Sequence, residues 1–178
     1  HVVAPEECDD GNVNNGDACP SNCLLRGPAI KLVVANDRTC ALYANGTVRC
    51  LVGRWGAGTL GDGSNVAFAG PADVTGITTA IQISGNCALL RDGTVKCWGY
   101  NGDGQLGQGK TQDLGDGADE MGNDLPAIDL GSGRTATSIS AGGYHTCARL
   151  DNDTVKCWGA NGDGQIGQGN IDVLGDET

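Results

Sequence analysis

The stretch Cys87-Ala88-Leu89-Leu90-Arg91-Asp92-Gly93-Thr94-Val95-Lys96-Cys97-Trp98-Gly99 decides the fold, because the chain writes it three times. Its counterparts are Cys40-Ala-Leu-Tyr-Ala-Asn-Gly-Thr-Val-Arg-Cys50 and Cys147-Ala-Arg-Leu-Asp-Asn-Asp-Thr-Val-Lys-Cys157. The spacing from Cys40 to Cys87 is shorter than that from Cys87 to Cys147, so the unit varies in length while its centre does not. A glycine-rich tail follows each centre. Trp98 to Gly109 and Trp158 to Gly169 match almost letter for letter, whereas the first tail is degenerate, with Leu51 in the tryptophan position and Trp55 a little later. A repeat of this length means stacked supersecondary units, as in a propeller or solenoid.

The repeat has a derivable local geometry. A three-residue loop at Arg91-Asp92-Gly93 pairs Leu90 with Thr94, Leu89 with Val95 and Cys87 with Cys97. A type I turn followed by a residue of positive φ closes such a hairpin, and Gly93 supplies that residue without steric cost. Gly46 takes the same place in the first copy and Asp153 in the third; Asp tolerates the left-handed region better than most side chains. The two cysteines of each hairpin then face one another at bridging distance. Cys40–Cys50, Cys87–Cys97 and Cys147–Cys157 are read as within-hairpin disulfides. Ten-residue cysteine spacing without nearby histidine matches no zinc pattern.

Composition agrees with short strands and turns. Glycine supplies 31 of 178 residues, without a collagen period, and the aromatics are 3 Trp, 3 Tyr and 1 Phe. No apolar run approaches the length of a membrane helix. Lys plus Arg total 11 against 22 Asp plus Glu, a formal charge of −11. Such a surface repels phosphate backbones, which excludes nucleic acid as a partner. The 9 cysteines indicate an oxidising compartment, so the expected location is secreted, extracellular or cell-surface.

His145-Thr146-Cys147-Ala148, then Thr154-Val155-Lys156-Cys157-Trp158-Gly159 and Gly164-Gln165-Ile166-Gly167, resemble the regulator of chromosome condensation repeat family. That resemblance implies a β-propeller, usually of seven four-stranded blades, with each repeat contributing a blade. The expected fold is therefore all-β: three propeller-type blades at about residues 29–78, 79–134 and 135–178, after a disulfide-rich segment at 1–28. Three blades do not close a seven-bladed ring. The run from Ile171 resembles Gln112 to Asp116, which in the second copy leads toward an expected strand, Ala127 to Leu130. The expectation is an open arc, either part of a longer propeller or completed by partner subunits. The family's founding activity, guanine-nucleotide exchange on a small GTPase, is not carried over to three repeats in an extracellular setting.

Glu7-Cys8-Asp9-Asp10-Gly11-Asn12 and Asn15-Gly16-Asp17-Ala18-Cys19-Pro20-Ser21-Asn22-Cys23 resemble a short Cys-rich repeat of myxobacterial surface proteins. Cys8, Cys19 and Cys23 are odd in number, so one is free or bridged to another chain. Asp9, Asp10, Asn12, Asn15 and Asp17 form an oxygen-rich set that suits calcium. The same residues also suit Asx-turns beside disulfides, and both readings stand. The acidic stretch from Asp113 to Asp129 reads as a solvated loop between blades.

No nucleophile–base constellation emerges, so no catalytic residue and no certain cofactor are expected. His145 reads as a hairpin residue whose counterparts are Arg38 and Asn86. A copper site shared with His1 has only composition behind it. Trp98 and Trp158 read as core, and the Asn101 and Asn161 loops as turns rather than phosphate cradles, since neither opens a helix. The leading functional expectation is a secreted, non-catalytic structural or assembly protein whose subunits join through blade edges into a homo-oligomer, ring or filament. The alternative is an extracellular module that binds a surface protein or glycan, with calcium.

Overall fold

The computed structural model describes residues 27–35, 38–52, 60–64, 71–117 and 119–173. The three hairpins form with the expected register. The first sheet runs β1 (Ala29–Ala35), β2 (Arg38–Tyr43), β3 (Val48–Val52) and β4 (Ala72–Asp73), all antiparallel. The second runs β5 (Ala80–Ser84), β6 (Cys87–Leu90) and β7 (Val95–Cys97). The third runs β8 (Ala136–Ala141), β9 (His145–Leu150) and β10 (Val155–Gly159). The described residues are all-β, built as three blades.

The turns explain why the pattern repeats. Gly46, Gly93 and Asp153 have φ of 87°, 83° and 64°, the left-handed conformation each three-residue loop requires. In each loop the preceding Asn or Asp binds the following Thr twice. The Oδ1 atoms of Asn45, Asp92 and Asn152 accept from the hydroxyls of Thr47, Thr94 and Thr154 at 2.7 Å and from their backbone N–H groups at 3.0, 2.9 and 3.2 Å. Leu89 pairs with Val95 and Cys87 with Cys97, and the other two hairpins match. Each first strand also carries an irregularity at the same register position, between Ala29 and Lys31, Ala80 and Gln82, and Ala136 and Ser138.

The expected strand from Ala127 to Leu130 is reduced to a single bridge between Ala127 and Lys96, beside a hydrogen bond from Ile128 N–H to the Val95 carbonyl. Pro126 explains the difference. It occupies the register position that Ala72 fills opposite Cys50 in the first blade, and proline has no N–H for the ladder. The acidic stretch is also more firmly held than a solvated loop. Met121 and Leu125 are buried in the cluster formed with Val74 and Ile77 of the first blade, while Asp119, Asp124 and Asp129 stay exposed. Gly76 and Gly122 meet so closely that a Cβ on Gly76 would lie 2.1 Å from the Gly122 Cα. Apolar residues spaced among the carboxylates anchor this loop, and the charge run hides them from a composition reading.

Candidate interaction faces of the blade array

Period-2 alternation gives each blade a front and a back. On the fronts of the first two blades, a disulfide lies beside a cross-strand Leu–Val pair: Cys40, Leu42, Val48 and Cys50, then Cys87, Leu89, Val95 and Cys97. The structure links Cys40 to Cys50, Cys87 to Cys97 and Cys147 to Cys157. The backs are built from the first strand and its neighbour. Ile83, Ala88 and Leu90 belong to the core cluster that includes the first front, and Ile139, Ala148 and Leu150 to the cluster that includes the second. The second and third blades therefore each seat their back on the front of the blade before them.

Polar contacts register these junctions. The Gln82 side chain donates to the Ile139 carbonyl at 2.7 Å and accepts from the Ile139 N–H at 3.1 Å. Ser84 Oγ accepts from Ala141 N–H at 2.8 Å. Trp158, buried as expected, donates its indole N–H to the Gln105 carbonyl of the preceding loop at 3.0 Å. Trp98 is likewise core.

The glycine-rich tails are pinned from within. Asn101 is fully buried; its amide donates to the carbonyls of Lys110 and Gln112 at 2.6 and 2.9 Å, and its Oδ1 accepts from Leu106 N–H at 2.9 Å. Asn161 repeats the arrangement with Asn170, Asp172 and Ile166. These asparagines satisfy loop backbone and have no spare polar atom aimed at a ligand.

Other polar groups belong to the strands and loops of the blades. His145 is half-buried in β9 opposite Gly159. The Glu120 carboxylate accepts from the N–H groups of Gly115, Asp116 and Gly117 at 2.9, 3.2 and 3.0 Å. Burial works to raise the Glu120 pKa, but the hydrogen bonds from Asp116 and these backbone groups outweigh it and hold the value below the ordinary range. Asp116 is pushed up, first by its side-chain hydrogen bond with Glu120 and then by burial and the neighbouring charge. Among the described residues no group of three or more His, Cys, Asp or Glu side chains could hold a metal, and no helix is long and apolar enough to cross a membrane. The calcium-type set Asp9, Asp10, Asn12, Asn15 and Asp17, and Cys8, Cys19 and Cys23, lie outside the described residues.

The back of the first blade and the front of the third differ from the faces at the two internal junctions. Leu32 holds the register position of Ile83 and Ile139, yet it is 64% exposed where they are 2% and 4%. Ile30 and Val34 stand beside it, also exposed. At the other end, Val155 is 64% exposed where Val48 and Val95 are fully buried. Arg149 there replaces Leu42 and Leu89 and forms an ion pair with Asp153. Sequence reading placed β1 within the first blade without giving it a face, and took Asp153 only as a turn former. Reading the three copies column by column shows the signal at Arg149 and Asp153; nothing in the sequence alone marks Leu32 as exposed.

Comparison with known proteins bears on this architecture. Models of the regulator of chromosome condensation (RCC1) repeat match residues 92–149 and 136–165. Residues 92–165 therefore match that repeat. It is 34% identical over 100 residues to a Protein RCC2 homolog of Danio rerio, an alignment covering 53% of this chain and 18% of that relative. It is 34% identical over 84 residues to the RCC1 domain-containing protein RUG3, mitochondrial, of Arabidopsis thaliana, covering 47% and 17%. The chain thus spans less than a fifth of the length of these curated relatives. Among solved structures, human WBSCR16 superposes with a TM-score of 0.63 at 20% identity, covering 85% of this chain and 37% of that one. Prp20p of Saccharomyces cerevisiae does so with 0.57 at 21%, covering 76% and 31%. These superpositions give the described blades the architecture of RCC1-type β-propellers.

Proposed function

We propose that this chain is a secreted, non-catalytic interaction and assembly module, which docks through the back of its first blade. The observation that carries this reading is the contrast between Leu32 and its buried counterparts Ile83 and Ile139. The same structural position is covered at both internal junctions, and together with Val34, two residues on along β1, it presents an apolar strip on the back of the first blade. Propeller blades hide such strips by packing on a neighbour, so the face is complementary to another protein surface. The yeast relative Prp20p is described by its binding to Gsp1p and histones, which agrees with a binding role for the repeat without naming a partner here. Three hairpin disulfides suit an oxidising, extracellular setting.

Sedimentation of the wild-type chain at rising concentration, combined with hydrogen exchange, tests the reading. Association with exchange protection at Ile30 to Val34 is expected. A Leu32→Glu/Val34→Glu variant is expected to fold with unchanged melting and to lose that association. A compact wild-type monomer at micromolar concentration, with β1 exchanging freely, would overturn the proposal.

A further inference from the structure

We infer that Asn45 and Asn152 are acceptor sites for N-linked glycan, carried at the hairpin tips of the first and third blades. The inference rests on the secreted part of the reading above and adds a covalent modification to it.

The three hairpin tips differ in one chemically decisive residue. The first reads Asn45-Gly46-Thr47 and the third Asn152-Asp153-Thr154, each an asparagine with a threonine two residues on and no proline between. That spacing is the acceptor pattern for N-glycosylation, and a surface loop is the structural context it requires. The second tip reads Asp92-Gly93-Thr94 and has no amide to modify.

The fold supplies the surface loop at every tip. Asn45, Asp92 and Asn152 are all exposed. The exposure persists where another blade packs on the turn. Gly46 is buried, and a Cβ on it would stand 2.7 Å from the Thr78 carbonyl oxygen, yet Asn45 next to it is left to solvent. A Cβ on Gly93 would stand 2.6 Å from the Thr135 Cβ, and Asp92 is exposed in the same way. The neighbouring blade is met by the glycine, and the residue before it stays accessible at both internal junctions. Asn152 holds that position in the third blade.

The turn makes no demand on the atom that would carry the sugar. In each tip the threonine hydroxyl and backbone N–H both donate to Oδ1 of the Asn or Asp, the hydroxyl at 2.7 Å. Asp92 accepts both bonds without an amide nitrogen, so the geometry needs an oxygen here and nothing more. A glycan on Nδ2 therefore preserves both bonds. In the transfer, Nδ2 bonds to the anomeric carbon of a lipid-pyrophosphate-linked oligosaccharide. The bond from that carbon to the pyrophosphate oxygen breaks, the lipid pyrophosphate leaves with the electron pair, and one amide proton passes to a base of the transferase. The closed turn engages the threonine hydroxyl, and Cys40–Cys50 closes the same hairpin, so transfer precedes closure. In the open chain Asp153 sets a carboxylate beside the acceptor amide where the first tip has Gly46. Its charge repels the pyrophosphate donor and makes Asn45 the fuller of the two sites.

Peptide mapping of the full chain, isolated from its own source, tests the inference. Non-reducing mass spectrometry is run before and after treatment with peptide N-glycosidase, which leaves aspartate wherever a glycan was attached. Glycopeptides are expected at Asn45 and, at lower occupancy, at Asn152. In the same cells, Asn45→Asp should remove the first glycan and keep Tm within about 2 °C, since the second turn already uses aspartate. Thr47→Ser should retain that glycan and Thr47→Val should lose it, while Asp92→Asn should add a glycopeptide in the second blade. A bridged Cys40–Cys50 pair with Asn45 and Asn152 both bare would overturn the inference and leave the secreted reading standing. Free thiols at Cys40 and Cys50 would overturn both.

Discussion

Replacing Asn101 with alanine tests whether the glycine-rich tails are held by a single buried amide. Asn101 is fully buried, and its side chain makes three hydrogen bonds to loop backbone. In Asn101→Ala the N–H of Leu106, also fully buried, loses its acceptor. An orphaned buried donor costs about 1–3 kcal/mol. The carbonyls of Lys110 and Gln112 belong to exposed residues, so water can replace the lost donors and each bond counts for about 0.5–1 kcal/mol. The sum is about 3 kcal/mol, or a fall in Tm of roughly 6–12 °C for a chain of this size. Differential scanning calorimetry under non-reducing conditions reads it directly. Asn101→Asp sharpens the test, because it keeps an acceptor for Leu106 but turns a second oxygen toward two carbonyls. Its loss at neutral pH should exceed that of the alanine variant and shrink on acidification, when the carboxyl gains a proton it can donate. A change in Tm below about 2 °C for Asn101→Ala would refute the pinning argument.

Two further outcomes are expected. Glu120 has a lowered folded pKa, so its contribution to stability is present above its unfolded value and fades as pH falls through the folded one; Asp116, raised, contributes in the opposite sense. Thermal melts between neutral and acidic pH should therefore show a loss below the ordinary glutamate value of about 4.5, and Glu120→Gln should flatten it; an unchanged acid limb would count against the hydrogen bonds from Gly115, Asp116 and Gly117. Cys87→Ala/Cys97→Ala should cost about 2–3 kcal/mol, since the bridge closes a loop of 10 residues, and non-reducing peptide mass spectrometry should recover the Cys87–Cys97 and Cys147–Cys157 links; free thiols at these positions would defeat the oxidising-compartment argument.

Much of the fold could be read along the chain because its determinants are local. The hairpin register follows from an Asn or Asp, a residue able to take positive φ and a Thr in consecutive positions, and the cysteine pairing follows from that register. Both Trp98 and Trp158 were legible as core, and the repeat as a unit that must stack. What stayed hidden depends on contacts between distant residues. Pro126 cuts a four-residue strand to one bridge only because it falls at a ladder position opposite the second hairpin. Met121 and Leu125 turn an acidic run into an anchored loop because Val74 and Ile77 of another blade lie beneath them.

The candidate faces divide along the same line. The sequence by itself determined that blades exist, that their turns close and that the third copy differs at Arg149 and Asp153, since each of these is a choice of residue within a short segment. Only the tertiary structure decided which side of a blade is covered. Leu32, Ile83 and Ile139 are near-identical in chemistry and register, and what separates an exposed residue from a buried one is the neighbour packed upon it. Burial is a property of the pair of surfaces, and a residue's own identity carries no record of what lies across from it.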